Sequence, residues 1–306
     1  MARRPDQAGT RTAPTTAPPT IVQKRRGDLR AWHKGSLAAG DVLAAYGPQY
    51  FGDPRVQFCL QAAQRHLDQA DRAMLWNTQF LAGQASGPWR AAAAAEVWLL
   101  KPEGPCPRGL AQASLASEPP YLDGKFDDPC WQGAPVLTLR DVFTSPDGGR
   151  YTTTARLAYD AKHLYVALCC EHPEGGHFVP PVKPRKRDDD LRSFDRVALL
   201  LDVDRTGVSY CRFEMDQRGC VAEDCWGDRG WNPKWFVAVD SSEARWQIEA
   251  AIPWADLVGT APAAGDHWAV NLVRTIPGKG VQALSLPADV VPLPEGAALL
   301  RFAAKP

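Results

Sequence analysis

Apolar and polar positions follow two different periods along this chain. From about residue 28 to residue 100, apolar side chains recur at steps of three and four residues, which places them on one face of a helix. Beyond about residue 120, short runs alternate apolar and polar positions, and turn residues separate them about every ten to fifteen positions. The pattern predicts a small α-helical domain at 28–100 and a mainly β domain at 120–306.

The clearest helix start lies at Asp53 and Pro54. An Asp side chain can accept a hydrogen bond from the first turn, and proline fits the first helical position because the amide donor it lacks is not needed there. The apolar stripe that follows consists of Val56, Leu60, Ala63, Leu67, Ala70 and Met74. It predicts one continuous helix that stops at Gly83, and a second helix is predicted to begin at Pro88.

Two segments flank the helical domain. Residues 1–27 have no long apolar run and are predicted to form a disordered tail rather than a secretory signal. Residues 101–119 contain several prolines, which lack the backbone donor that a helix needs, so this segment is predicted to be a linker.

The strand pattern of the β domain is that of an antiparallel sandwich. Strands are predicted near 136–143, 152–159, 163–170, 195–202, 208–216, 219–225, 234–240, 244–252, 267–275 and 298–303. The segment 245–252 alternates cleanly between an apolar and a polar face, whereas 199–201 is apolar on both faces and predicts a central strand. The connections are too short for crossover helices, which argues against a parallel sheet.

Composition and charge exclude several kinds of partner. The chain has 306 residues, 45% hydrophobic and 23% charged, which is typical of a folded domain. Its 35 basic residues balance its 35 acidic residues, and a nucleic-acid partner would favour a basic excess. No apolar run reaches the roughly 18 residues of a membrane span. The sequence predicts neither a nucleic-acid nor a membrane partner, and it leaves the compartment open.

The eight cysteines do not follow a metal-binding or redox spacing. No C-x-x-C pair occurs in the sequence. Cys169 and Cys170 are adjacent in a predicted strand and should point to opposite faces, which disfavours a bond between them. A set of thiols and a partial set of disulfides both remain open.

No familiar catalytic signature occurs in the chain. The G-x-S-x-G elbow, the phosphate-binding G-x-x-x-x-G-K-[ST] loop and H-E-x-x-H are all missing from the sequence. A glycosidase with a pair of carboxylates stays a third hypothesis, since such a pair need only converge in space. The expectation is a protein that is not an enzyme and has no cofactor or metal.

Calcium is the one cofactor alternative. Asp202 and Asp204 alternate before Gly207, as carboxylates do in half of a calcium loop. The bidentate Glu expected further on is missing, so an ordinary hairpin turn with Asp is favoured.

A tryptophan-rich tract is the strongest candidate for ligand binding. Trp226, Trp231 and Trp235 lie within ten residues, among Gly, Asp, Arg and Asn. Indole faces can stack on the C–H faces of sugar rings while neighbouring polar groups bind the hydroxyls. Trp235 adjoins a strand and is expected in the core, whereas Trp226 and Trp231 are candidates for either role.

Five segments in order, covering about residues 120–303, resemble the family 9 carbohydrate-binding modules and their DOMON-like relatives. The segments are Tyr121–Trp131, Thr152–Ala167, Asp195–Asp202, Trp246–Leu257 and Trp268–Arg274. The resemblance implies a jelly-roll-like β-sandwich that binds a saccharide, performs no chemistry itself and accompanies glycoside hydrolases in carbohydrate catabolism.

A site follows from the resemblance together with the tryptophan tract. Asn271 and Arg274 would bind sugar hydroxyls, and Trp226 or Trp231 would supply the stacking surface with Asp228 nearby. Ala198 stands where the family often has an acid, and 276–303 contains no tryptophan. A degenerate sandwich that serves as a structural or protein-interaction domain, with a partner bound through the helical domain, is therefore the alternative.

Overall fold

Helices form the first part of the chain and strands the rest. The computed structural model describes residues 29–83, 86–143, 151–174 and 179–304, so the predicted tail at 1–27 lies outside the described residues. The helices are α1 (Leu29–Tyr46), α2 (Pro48–Phe51), α3 (Pro54–His66), α4 (Ala70–Ala82), α5 (Pro88–Leu100), α6 (Pro129–Gln132) and α7 (Trp254–Leu257). In the described ranges, no helix has the length and apolar character to cross a bilayer.

Thirteen strands are formed by the described residues. They are β1 (Leu110–Leu115), β2 (Leu137–Thr138), β3 (Arg140–Asp141), β4 (Thr153–Tyr159), β5 (His163–Glu171), β6 (Arg196–Asp202), β7 (Cys211–Asp216), β8 (Val221–Cys225), β9 (Phe236–Ser241), β10 (Arg245–Pro253), β11 (His267–Ile276), β12 (Gly280–Ala283) and β13 (Ala298–Phe302).

The predicted continuous helix is divided in two. The Asp53 side chain caps the start of α3 by accepting a hydrogen bond of 2.9 Å from the Arg55 amide, as expected. The helix ends after His66, because Asp68 adopts a left-handed backbone with φ of 60° and the Gln69 amide donates back to the Gln64 carbonyl. Asp tolerates this conformation better than most residues, and the apolar stripe does not reveal it.

The first helix packs closely on α3 at a glycine. A Cβ on Gly40 would lie 2.7 Å from a methyl carbon of Leu60, so a larger residue would require Leu60 to shift. Glycine at this position therefore fits the packing of α1, which runs uninterrupted from Leu29 to Tyr46.

The strands form one curled sheet whose two halves face each other. Its order is β8-β7-β6-β11-β13-β1-β4-β5-β10-β9. Inward side chains of both halves share one core, which includes Leu157, Val166, Ile248, Leu199, Phe213 and Val270. The rings of Phe213 on β7 and Trp235, just before β9, lie 5.1 Å apart, so the two ends of the sheet meet across this core.

The fold class expected from the sequence is confirmed as mainly β with helices at the start. The central strand predicted at 199–201 is β6, which lies between β7 and β11 and is buried on both faces. One difference concerns the predicted linker at 101–119. It contains β1, which pairs in parallel with both β13 and β4 in an otherwise antiparallel sheet.

The opening segment of the β domain covers the outer face of β10 through a buried carboxylate. Glu249 accepts hydrogen bonds from the Trp131 indole at 2.7 Å, the Asp123 amide at 2.9 Å and the Gly124 amide at 2.8 Å. Burial raises the pKa of Glu249 to about 7. Gly124 is required here, since its φ is 89° and a Cβ would lie 2.4 Å from the Asp240 amide nitrogen.

Buried ion pairs join the helices to the sandwich. Glu96 of α5 binds Arg205 at 2.7 Å and Arg65 at 3.2 Å, and Arg65 also donates to the Asp204 carbonyl at 2.5 Å. Burial alone would raise the pKa of Glu96, but the Arg205 and Arg65 guanidinium groups hold it below its usual value. The helical domain is thus fixed against the turn that follows β6.

Candidate functional site

Arg274, predicted to bind sugar, is an internal cross-link. It is fully buried and binds the Asp195 carboxylate through contacts of 2.9 and 2.6 Å. It also donates to the Thr153 hydroxyl at 2.8 Å and the Glu171 carbonyl at 2.7 Å. These partners lie on both halves of the sheet, so the guanidinium holds the two layers together and does not face a ligand.

Asn271 is buried as well. Its amide nitrogen donates to the Ser285 carbonyl at 3.0 Å, and its oxygen accepts from the Ser285 amide at 3.1 Å. On β11 it points away from the core side that Trp268 and Arg274 share, because successive residues of a strand alternate. The expectation that it binds hydroxyls is not met by this geometry: it fastens the segment after β12 to the sheet.

Trp231 and Trp235 belong to the core. Each is 3% exposed, and the Trp231 ring meets Phe213 edge-on at 5.3 Å. The Trp235 indole donates to Glu223 at 3.0 Å, as fits its expected core position. Of the two indoles for which the sequence left the role open, Trp231 is therefore not available for stacking.

The indole ring of Trp226, in contrast, is exposed to solvent. It is 44% exposed, has a left-handed backbone with φ of 56°, and its amide donates to the Tyr210 carbonyl at 3.0 Å. Asp228 shapes the turn that follows, because its carboxylate accepts from the Gly230 amide at 2.9 Å and its carbonyl accepts from the Cys225 amide. Asp228 thus lies near Trp226, as expected, but in a structural contact.

A cleft of about 270 Å³ opens beside Trp226, between the helices and one end of the sandwich. Trp226, Trp268 and Tyr210 give it aromatic walls, and Ser209, Thr260 and Asp266 add polar groups. Burial raises the pKa of Tyr210, so its phenol keeps its proton and can donate. The cleft therefore combines flat apolar surfaces with donors and acceptors.

The helical side of the cleft carries two histidines that the sequence analysis did not single out. The rings of His33 and His66 stack at 4.3 Å with an interplanar angle of 8°. His66 Nε2 lies 2.9 Å from the Asp204 carboxylate, which belongs to the turn after β6. Neither histidine stands in a motif, and only the docking of α1 and α3 brings them to this place.

The turn after β6, whose alternating carboxylates resemble half of a calcium loop, is held by its own hydrogen bonds. The Asp202 carboxylate accepts from the Gly207 amide at 2.6 Å and from the Thr206 hydroxyl at 3.3 Å. Asp204 points to His66 instead of joining Asp202. Among the described residues, no group of three or more His, Cys, Asp or Glu side chains has the arrangement of a metal site.

A second cavity is larger but lacks the same surfaces. It has a volume of about 500 Å³ and lies between α5 and the segments around β1 and β13. Its lining contains Arg108 and Glu295 but no aromatic residue. The cleft beside Trp226 is therefore the better candidate for a ligand with ring faces.

This chain is similar to several solved structures. A carbohydrate binding module family 9 from Caldicellulosiruptor kristjanssonii in complex with cellotriose matches with a TM-score of 0.48 and 14% identity, over 65% of this chain and 95% of that chain. A structure of the same description in complex with glucose matches with a TM-score of 0.48 and 14% identity, over 65% of this chain and 97% of that chain. A third structure, from Bacteroides uniformis, matches with a TM-score of 0.46 and 13% identity, over 63% of this chain and 98% of that chain.

No family model matches the chain, and no curated protein matches it significantly. The lining of the cleft therefore indicates which ligand chemistry fits.

Proposed function

We propose that the protein binds a saccharide without transforming it, in the cleft beside Trp226. The observation that carries the proposal is an indole that stays 44% exposed at the wall of a cleft lined with polar groups. The exposed indole lacks the burial that stabilises the other indoles of this tract. A ligand that covers it would therefore gain binding free energy from the apolar surface it buries. Sugar rings offer the matching C–H face.

The backbone around Trp226 supports a fixed plate. Tyr210 and Trp226 face each other across the end of the β7–β8 pair and are joined by a backbone hydrogen bond. A plate that is held before the ligand arrives loses less conformational entropy on binding. Tyr210, Ser209 and Thr260 can then bind ring hydroxyls from the same cleft.

The ligand has room to extend beyond one ring. A shallow groove of about 530 Å³ shares Tyr210 with the cleft and continues to Trp89 and Arg55. A saccharide of more than one ring would place its first ring on Trp226 and the next near Trp89.

The carboxylates of the cleft are engaged in structural contacts, which fits binding without catalysis. Asp204 pairs with His66, and Asp266 accepts from the Ala263 amide at 2.8 Å, so both support local structure. In this role the protein would be accessory to glycoside hydrolysis, holding a carbohydrate for a separate enzyme.

Isothermal titration calorimetry with glucose, cellobiose, xylose and mannan oligosaccharides tests the proposal. Trp226→Ala should lower the affinity by about 2 kcal/mol, roughly thirtyfold, as loss of a central aromatic contact does. Trp32→Ala is the matched control, because Trp32 is 57% exposed on α1 and does not line the cleft. No heat with any sugar at millimolar concentration, or equal loss in both variants, contradicts the proposal.

A protein contact through the helical domain is the second candidate function. Tyr46 is 87% exposed and Tyr50 is 62% exposed at the end of α1 and in α2. This alternative predicts a complex, with a second copy or another protein, that sediments faster than the monomer. It should survive Trp226→Ala and be weakened by Tyr46→Ser.

A further inference from the structure

Two cysteines lie directly opposite each other on neighbouring strands at the cleft. Cys211 begins β7 and Cys225 ends β8, and the two residues pair in the antiparallel register. Both line the cleft, with exposed fractions of 8% and 5%. Trp226, the proposed stacking plate, is the next residue after Cys225.

The register places this pair where side chains approach most closely. The Trp226 amide donates to the Tyr210 carbonyl, so residues 210 and 226 form a hydrogen-bonded pair. Pairs alternate along an antiparallel ladder, and the Cys225 amide donates to Asp228 rather than across to β7. Cys211 and Cys225 therefore occupy a non-hydrogen-bonded pair, whose Cα atoms are about 4.5 Å apart.

This spacing suits a cross-link. Disulfides join residues whose Cα atoms are roughly 4.4–6.8 Å apart, so neither strand needs to move. The two Sγ atoms are already in contact. Cys169 and Cys170 are neighbours in sequence, but they follow each other along β5 and so point to opposite faces of the sheet.

We infer that Cys211 and Cys225 are an oxidisable pair that forms a disulfide in the wall of the cleft. A small disulfide such as oxidised glutathione is the oxidant. One cysteine thiolate attacks it and releases one glutathione thiol, and the second cysteine then attacks the mixed disulfide and releases the other. Each protein thiol loses its proton, one protein S–S bond forms, and the glutathione S–S bond is reduced to two thiols.

The bond would tighten the site as well as the fold. It closes the chain between residues 211 and 225, which limits the unfolded chain, and it ties the residue before Trp226 to the neighbouring strand. The left-handed turn at Trp226 would then be anchored by a covalent link in addition to its backbone hydrogen bond. Reduction should loosen this turn.

Peptide mapping tests the bond. The protein is incubated with oxidised glutathione, its remaining thiols are blocked with N-ethylmaleimide, and it is digested with trypsin without reduction. Cleavage at arginine yields peptides 206–212 and 219–229, which contain Cys211 and Cys225 respectively. The expected product is these two peptides joined, lighter by two hydrogen atoms than their sum and carrying one N-ethylmaleimide group on Cys220.

Cys220 provides a matched control, since it lies on the same peptide as Cys225. Cys220→Ala should keep the joined product, whereas Cys225→Ala and Cys211→Ala should each abolish it. In the wild type and in Cys220→Ala, reduction should lower the thermal midpoint by roughly 5 °C. In Cys225→Ala, reduction should leave the midpoint unchanged. Absence of the joined product after oxidation, or its loss in Cys220→Ala, overturns the inference, and neither result depends on the saccharide.

Discussion

A polar side chain with the chemistry of ligand binding can instead serve the interior of the fold. Arg274 has the chemistry of a hydroxyl-binding residue, yet its partners Asp195 and Thr153 come from distant parts of the chain. Its alternation places it on the core side of β11 with Trp268 and Leu272. The alternation along β11 thus predicts that Arg274 points into the core. Its partners Asp195 and Thr153, which compensate the buried charge, are identified only by the fold.

Arg274→Met should therefore destabilise the protein without acting on the ligand. It leaves Asp195 buried without its cation, which typically costs about 3–5 kcal/mol. Urea unfolding measures the loss. The matched control is Arg192→Met, whose pair with Asp190 is exposed and whose loss should leave the midpoint unchanged. A stable Arg274→Met protein with weakened saccharide binding would contradict the internal role.

Glu249 predicts a dependence of stability on pH. Burial raises its pKa from 4.5 in the unfolded chain to about 7 in the folded protein. Between these values the folded state holds a proton that the unfolded state has released, so stability falls as pH rises. At 1.36 kcal/mol per pKa unit, the loss is at most roughly 3 kcal/mol.

Glu249→Gln isolates this contribution. The variant cannot ionise, so its unfolding free energy should lack the part of the decline between pH 4.5 and 7 that the wild type shows. Urea unfolding at several pH values, compared between the two proteins, gives the difference. Parallel curves would show that Glu249 keeps an ordinary pKa.

At the scale of elements, periodicity was a good guide where strands are long. The alternation at 245–252 became β10, which spans Arg245–Pro253. Two strands were missed: β1 follows a proline-rich stretch, and β12 has only four residues. Both are stabilised by neighbours that a local pattern does not contain, since β1 pairs with β13 and β12 pairs with β11 and β3.

Gly207, in the turn after β6, lets the sandwich backbone approach α5 closely. Gly207 has φ of 69°, and a Cβ there would lie 2.7 Å from the Trp89 ring of α5. Gly207→Ala should cost more than the roughly 1–2 kcal/mol of a left-handed backbone alone, because it also pushes α5 from the sandwich.

Gly278→Ala is the control for Gly207→Ala. Gly278 has φ of 71° with nothing within 4 Å of the added carbon, so it carries the backbone cost alone. Thermal unfolding of both variants should rank Gly207→Ala as the less stable. Equal losses of stability in the two variants would show that the Trp89 ring can move away at no cost in free energy.

For the whole molecule, the decisive feature is that two separately predicted domains build one cleft. Trp226 and Trp268 come from the sandwich, whereas His33 and His66 come from the helices. The tryptophan tract identified Trp226 from the sequence. The histidines had no such signal, because their position depends on how α1 and α3 dock on the turn after β6.

Docking can be tested through Glu96, which touches no part of the cleft. Glu96→Gln removes the charge that Arg65 and Arg205 share, and a broken buried pair typically costs about 3–5 kcal/mol. Because the pKa of Glu96 is held low, its stabilisation is present above pH 4.5 and is lost as pH falls through the folded pKa. Acid should therefore loosen the helices in the wild type, and Glu96→Gln should show this loosening already at neutral pH.

Saccharide affinity, measured by calorimetry, should fall in Glu96→Gln and stay unchanged in Glu103→Gln, whose pair with Lys101 is exposed. Equal affinities in the two variants would mean that the sandwich alone holds the ligand.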